Sequence, residues 1–563
     1  MKNETKKCQA CKKDFVIETE DFNFYEKIKV PPPTWCPECR SKRRMSWRNE
    51  RSLHKRTCDA TRENIISMFS PKEKLVVYSR DYWWKEGFDP ISYGQEVDFT
   101  KSLFSQFKEL FSKVPLPSLL NENILNSSYC NCVHNTKNGY LVFASMETEN
   151  VSYSTRVIGA KDSMDLFGGF DQEFCYENIV CDKSHRLFFS ERSMECFDSM
   201  FLSDCRNLSN CLACVNLRNV SYYIFNKPYS KEEYKKIVEN LDLGNYTNLQ
   251  KFKEKFSAFK KTLPKKYANI LRCYLVTGDN VTNSKNCKSC FDAYKNLENC
   301  AFAVHSIGLK DSYDGYGFGD NAEQLYEVID SGVNASNLLG TICVHDCHNL
   351  TYAYNCHNSH DLFACTGLRN KSYCILNKQY TKEEYEALVP KIIKHMNDIP
   401  YVDAKGRLYR YGEFFPPEMS KFYYNNSNAA KFLPKTKEEA LSQGYNWSDE
   451  ENSFYEASIL DQSLPDSILE TKENILNEII RCKGCGRGYK VASGEFDLLR
   501  KMNLPLPHEC PKCRENNRFL RLNKPTKLYN RNCAKCNVKI RTPYSPDRSE
   551  IIYCEKCYQQ EVY

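Results

Sequence analysis

Residues 200–211 read MFLSDCRNLSNC, residues 212–223 read LACVNLRNVSYY, and Ile224-Phe-Asn begins the phrase a third time. A second stretch behaves alike: residues 351–362 read TYAYNCHNSHDL, residues 363–374 read FACTGLRNKSYC, and Ile375-Leu-Asn follows. A period of twelve, with apolar residues alternating against Asn, Ser and Asp, suits short stacked strands and not a helix. Asn and Asp accept the left-handed conformations that tight corners need. The expected fold is therefore mainly β: a short-period β-solenoid, β-helix-like, with one coil per twelve or twenty-four residues. An ordinary β-sandwich would not keep a constant period.

The solenoid is duplicated. Gly159-Ala-Lys-Asp-Ser-Met-Asp165 returns as Gly308-Leu-Lys-Asp-Ser-Tyr-Asp314, and Leu217-Arg-Asn219 returns as Leu368-Arg-Asn370. Each copy closes on a capping box, Ser230-x-x-Glu233 and Thr381-x-x-Glu384, that starts a helix. Seventeen cysteines lie in this middle region. In the twelve-residue register they exchange places with Leu and Tyr, as small buried hydrophobes do and metal ligands do not.

Both ends carry a different cysteine pattern. Six Cys-x-x-Cys pairs group into three quartets: Cys8, Cys11, Cys36 and Cys39; Cys482, Cys485, Cys510 and Cys513; Cys533, Cys536, Cys554 and Cys557. Cys11 and Cys36 are separated by 24 residues, as are Cys485 and Cys510, while 17 residues separate Cys536 from Cys554. Paired thiolates at this spacing make a closed tetrahedral Zn2+ site, structural and not catalytic. Residues 1–84 align with 475–559 almost without gaps, which sets Cys58, Thr61, Ser79 and Tyr82 opposite the ligands of the last site. One thiolate does not hold zinc. Three zinc ions are expected, with the degenerate half-ribbon kept folded by Ile65, Ile66, Val76, Val77, Tyr82 and Trp83.

The expected organisation is a double zinc ribbon over 1–85, its second half without metal, and a helical linker over 86–125. Solenoid repeat A follows over 126–265, then repeat B over 266–409. A linker with one short helix over 410–474 leads to a second double ribbon over 475–563. The apolar stripe Phe99, Leu103, Phe107, Leu110 and Phe111 belongs to a core-facing helix.

Net charge is +7 over 563 residues, which excludes a wholesale polycation but not local patches. Arg40, Lys42, Arg43, Arg44, Arg48 and Arg51 crowd after the first knuckle with Trp47 among them, and Arg514, Arg518 and Arg521 occupy the equivalent carboxy-terminal run. Rigid ribbons that present Arg and aromatic side chains grip phosphates and stack bases. The expected function is thus a non-catalytic scaffold binding nucleic acid, RNA favoured, or a ribonucleoprotein, through these residues. A protein partner on the solenoid face is the alternative. A third is a carbohydrate-active β-helix enzyme using acids near Phe167-Gly-Gly-Phe-Asp171 and Gly315-Tyr-Gly-Phe-Gly-Asp320. No Ser/His/Asp order, phosphate loop or HExxH motif appears, so no catalytic residue is assigned. The start lacks a secretory signal and no apolar run approaches a membrane span, so a cytoplasmic protein is expected.

The Cys-Pro-x-Cys-Arg knuckles, the Arg-rich run behind them, the Lys-Asp-Ser motif and the Tyr-[Ser/Thr]-Lys-Glu-Glu-Tyr closure together resemble a zinc-ribbon, β-solenoid protein family of reduced-genome bacteria. The resemblance covers nearly the whole chain and implies a bacterial cytoplasmic protein. No activity is established for that family, and it transfers no catalytic residue.

Overall fold

Every third residue in the middle of the chain turns a corner. From Asn123 through Asn126, Tyr129 and Cys132 to Arg156, each third residue has φ between 48° and 61°. Left-handed backbone costs a non-glycine residue roughly 1–2 kcal/mol, and the neighbouring coil offsets that cost with hydrogen bonds. Asn138 donates its side-chain amide to Asn150 at 2.8 Å, and Asn150 donates to Asp162 at 2.7 Å. Inside, the Cys175 and Leu166 N–H groups donate to Ser163 and Ser154 Oγ, twelve residues back, at 2.9 and 3.1 Å.

The computed structural model describes residues 2–85, 88–449, 455–523 and 527–562. The protein is mostly strands with few helices. Seven strands, from Asn121–Leu125 to Phe197–Met200, lie in chain order as one parallel sheet. Asn121 pairs with Val133, Asn131 with Phe143, and His185 with Phe197, a step of twelve each time. Single bridges carry the ladder on to Leu212 and Ile224. Ten strands, from Ile270–Leu271 to Lys378–Gln379, form a second sheet in chain order, parallel except at its closing hairpin. Its step lengthens to thirteen where Lys288 meets Ala301 and where Ala322 meets Ala335. Long parallel sheets with a near-constant step fit a solenoid-like fold. The two are called the first and second stack below.

Fifteen of the seventeen middle cysteines are buried, and Cys132 and Cys273 are half-buried. Leu350, Leu362 and Cys374 stand in one register column. Both capping boxes form, and they open the helices Lys231–Leu241 and Lys382–Asp398. A following helix, Tyr246–Lys261, lays Phe252 and Phe256 against Phe201 of the first stack.

The ends cross over. The amino-terminal ribbon packs on the second stack, where Phe24 lies flat on Tyr313 with ring centres 3.9 Å apart. The helix Leu103–Lys113 sits there too, with Phe104 against Tyr352 and Phe111 against Tyr354, while Phe99 remains exposed. The carboxy-terminal ribbon packs on the first stack, with Phe519 against Phe167. Phe414 and Phe415 are fully buried against Trp47 and Phe107, so this part of the 410–474 segment is core.

Candidate metal centres and the cleft between the stacks

Four equivalent knuckles begin the same way. In each, the first cysteine's N–H reaches a carbonyl five residues on (Lys13, Glu63, Arg487 or Val538), and the residue four after it donates back. That fourth residue is left-handed: Lys12, Arg62, Gly486 and Asn537. The turn aims the first sulfur at the second strand end. Cys36, Ser79, Cys510 and Cys554 each donate their N–H to it at 3.1–3.2 Å.

Three knuckles complete a quartet. The sulfurs of Cys8, Cys11, Cys36 and Cys39 lie within 4.8 Å of one another, as do those of Cys482, Cys485, Cys510 and Cys513, and those of Cys533, Cys536, Cys554 and Cys557. A tetrahedron of thiolates about 2.3 Å from a metal has edges of about 3.8 Å. Cys11–Cys36 and Cys485–Cys510 are 3.8 Å apart, and Cys536–Cys554 are 3.7 Å apart. A disulfide needs about 2.0 Å, and every cysteine is a free thiol. The three quartets are compatible with metal binding. At the fourth knuckle, Thr61, Ser79 and Tyr82 leave Cys58 alone, and the described residues contain no further cysteine group of this kind. The half-ribbon there keeps its hairpin, His54–Thr57 with Asn64–Ser67, over buried Val77 and Trp83.

The basic runs do not face outward. Arg40, Lys42, Arg43, Arg44, Trp47, Arg48, Arg514 and Arg518 are all buried. The helix Pro37–Met45 drives Arg40 and Arg44 onto Asp314 at 2.7 and 3.0 Å. Arg43 and Arg44 share Glu327 at 2.8 and 2.6 Å, and Arg43 also meets Glu413 at 2.9 Å. Arg48 holds Glu50 at 3.0 Å and pairs with Asp330. The helix Pro511–Leu520 repeats the arrangement, with Arg514 and Arg518 on Asp165 at 2.9 and 2.6 Å. Arg514 also reaches Glu495 at 2.9 Å. Half-buried Arg51 reaches across to Glu515 at 2.7 Å, and Arg521 approaches Glu177 at 3.6 Å. Lys524, next in the carboxy-terminal basic run, lies outside the described residues.

An outer grip for phosphates therefore does not match where these residues sit. Burial pushes the Glu327 carboxyl up, but Arg44, Arg43 and Arg40 outweigh it and hold the group below its usual range. The sequence held half of this pairing, since Asp165 and Asp314 close the recurring Lys-Asp-Ser motif, but nothing local joins them to arginines hundreds of residues away. Charge runs alone do not say where their counter-ions are.

Between the stacks lies a cleft of about 530 Å³, within the usual range for small-molecule sites. Corner columns from both sides line it. Cys132, Ala144, Arg156 and Gly168 face it from the first stack, and His305, Gly317, Cys343 and Asn355 from the second. Its aromatic walls include Trp83, Phe167, Phe170 and Tyr294. Asp292 lies 3.2 Å from His305 Nδ1 and also accepts from Asn280. Burial pushes Asp292 up to about 6 and pushes His305 well below the ordinary imidazole value. Burial likewise raises the Cys132 and Cys343 thiols, which leaves both protonated and poorly nucleophilic at neutral pH.

Asp171 and Asp320 are exposed and stand outside the lining of this cleft, whereas Glu177 and Glu327 are engaged by basic residues. Gly168 and Gly169, and Gly317 and Gly319, do line it. Gly169 and Gly319 (both φ 99°) leave no room for a Cβ, which would lie 2.0 Å from the Cys181 carbonyl oxygen and 2.2 Å from that of Ile307. Sequence reasoning passed over His305, Ser306 and Asn355. His305 breaks the Asn/Asp corner pattern, while Asn355 follows it and Ser306 is not a corner residue, so their shared wall is legible only once the register is known.

No helix of the described residues is long and apolar enough to cross a membrane. No family model and no curated protein matches the chain.

Proposed function

We propose that this chain is a non-catalytic zinc-binding scaffold. Two copies of a β-solenoid form its body, and zinc ribbons clamp each end of the chain to the opposite copy. The observation that carries this reading is the set of three four-cysteine groups with tetrahedral edge lengths. Every coordination position is filled by protein, so the zinc would hold structure and offer no open place for a substrate. The helix behind each of two knuckles carries the arginines that enter the opposite stack, which ties metal binding to assembly of the whole chain. Free thiols throughout favour a reducing, cytoplasmic setting.

Nucleic acid is not the partner this geometry favours, because the side chains expected to grip it are internal. Metal analysis of the purified chain tests the proposal, with three zinc ions per chain as the expected result. Sulfur–sulfur links within the quartets, or zinc-free protein with an unchanged fold, would overturn it. The same preparation should carry no co-purified RNA whose release depends steeply on salt.

A further inference from the structure

The corner columns of both stacks are mostly laddered: Asn and Asp side chains donate to one another twelve residues apart, as Asn337 does to Asn349 and Asn349 to Asp361. The column facing the cleft breaks this rule. Its second-stack members are His305, Gly317, Asp330, Cys343 and Asn355, followed by Gly367; Cys343 Sγ donates to Asp330 at 3.7 Å, but no Asn/Asp ladder runs along the column. Three polar atoms at this wall are left without partners: Ser306 Oγ, the Asn355 side-chain nitrogen and His305 Nε2. Ser306 and Asn355 are only 1% and 2% exposed, and all three residues line the cleft. A buried polar group without a partner costs about 1–3 kcal/mol, so three on one wall point to something that binds there.

We propose that the cleft binds one small, uncharged, flat heteroaromatic molecule bearing both hydrogen-bond donors and acceptors, the chemistry of a free nucleobase. Charge sets the first limit. Arg48 is matched by Glu50 and Asp330, and Arg156 by Glu50, so the wall has no spare cation for a phosphate or carboxylate. The free atoms set the second. His305 faces Asp292 through Nδ1, which leaves Nε2 to accept, the Asn355 amide nitrogen donates, and the Ser306 hydroxyl does either. The walls set the third. Half-buried Phe170 and Tyr294 line the space with aromatic surface, and glycines open it: a Cβ on Gly317 would meet nothing within 4 Å. A metal is not the occupant, since no group of three or more ligands converges there among the described residues.

The test uses the full zinc-loaded chain, with adenine and hypoxanthine as probes and adenosine monophosphate as the charged control, followed by calorimetry. One site per chain for at least one base is expected, with the monophosphate at least tenfold weaker. Ser306→Ala and Asn355→Asp should each weaken binding about tenfold; the aspartate keeps a residue that tolerates φ 52°. Gly317→Asn, which sends a side chain into the open space at a left-handed position, should abolish binding. Zinc content and circular dichroism confirm that each variant folds, and mass spectrometry of a heat extract from native protein checks for a retained heterocycle independently of any variant. Binding of neither base at millimolar concentration with no heterocycle in the extract, binding unaffected by all three variants, or equal binding of the monophosphate would each overturn the proposal.

Discussion

At the scale of single residues, the deciding interaction is an arginine fork closed on an aspartate that no solvent reaches. Asp314 accepts from Arg40 and pairs with Arg44, and Asp165 pairs with Arg514 and Arg518. Removing one member of a buried pair strands the other charge and costs roughly 3–5 kcal/mol. Asp314→Ala should therefore lower unfolding stability by about that amount, read by urea denaturation with zinc present. Arg43→Ala with Arg44→Ala should be as damaging, whereas two arginines on an outer face would cost less than about 1 kcal/mol. Glu50 gives a pH counterpart. Burial pushes it up, but Arg156 and Arg48 bring it down to about 2, below its unfolded value near 4.5. Its contribution is thus present above pH 4.5 and lost as pH falls towards 2. The stability advantage of the native protein over Glu50→Gln, on the order of a few kcal/mol, should shrink across that window. Acid release of metal affects both proteins, so their difference isolates the carboxylate.

At the scale of elements, the twelve-residue coil was legible because it repeats in composition: apolar, Asn and Ser positions recur at fixed offsets, and the register Asn121–Val133 or His360–Ser372 follows them. The choice between twelve and twenty-four residues was not legible, since a sequence period of twelve suits both, and it is the pairing of strands twelve residues apart that favours the shorter one. The quartets were legible in full from Cys-x-x-Cys spacing. Placement of the basic runs was not, because Arg40 finds its carboxylate 274 residues away and local charge pattern carries no information at that range. The glycines were visible but ambiguous between a bend and a site. Their backbone separates the cases. Gly169→Ala and Gly319→Ala place a Cβ into a carbonyl of the adjacent coil, and each should cost more than about 2 kcal/mol. Gly317→Ala meets no atom and should cost only the left-handed penalty of about 1 kcal/mol. Thermal denaturation of the three variants distinguishes close coil approach from simple turning.

At the scale of the whole molecule, the chain is laced: the ribbon that begins it grips the second stack, and the ribbon that ends it grips the first. This follows from which carboxylate each helix finds, Asp314 for Pro37–Met45 and Asp165 for Pro511–Leu520. Arg51 of the first ribbon then meets Glu515 of the second, so the two clamps touch each other between the stacks. Such lacing makes stability directional. Loss of Cys39 should free the helix that contains it, uncover Asp314 and Glu327, and leave two buried carboxylates without counter-charge in the second stack. The first stack keeps its own clamp. Hydrogen exchange on Cys39→Ser should therefore show faster exchange over roughly 301–363, with 161–200 near native protection. Cys513→Ser should reverse the pattern. Equal loosening of both stacks by either variant would mean that the clamps act as one unit through Arg51 and Glu515. No loosening by either would mean that the arginine forks hold without metal, and the ribbons would then be passengers on the stacks.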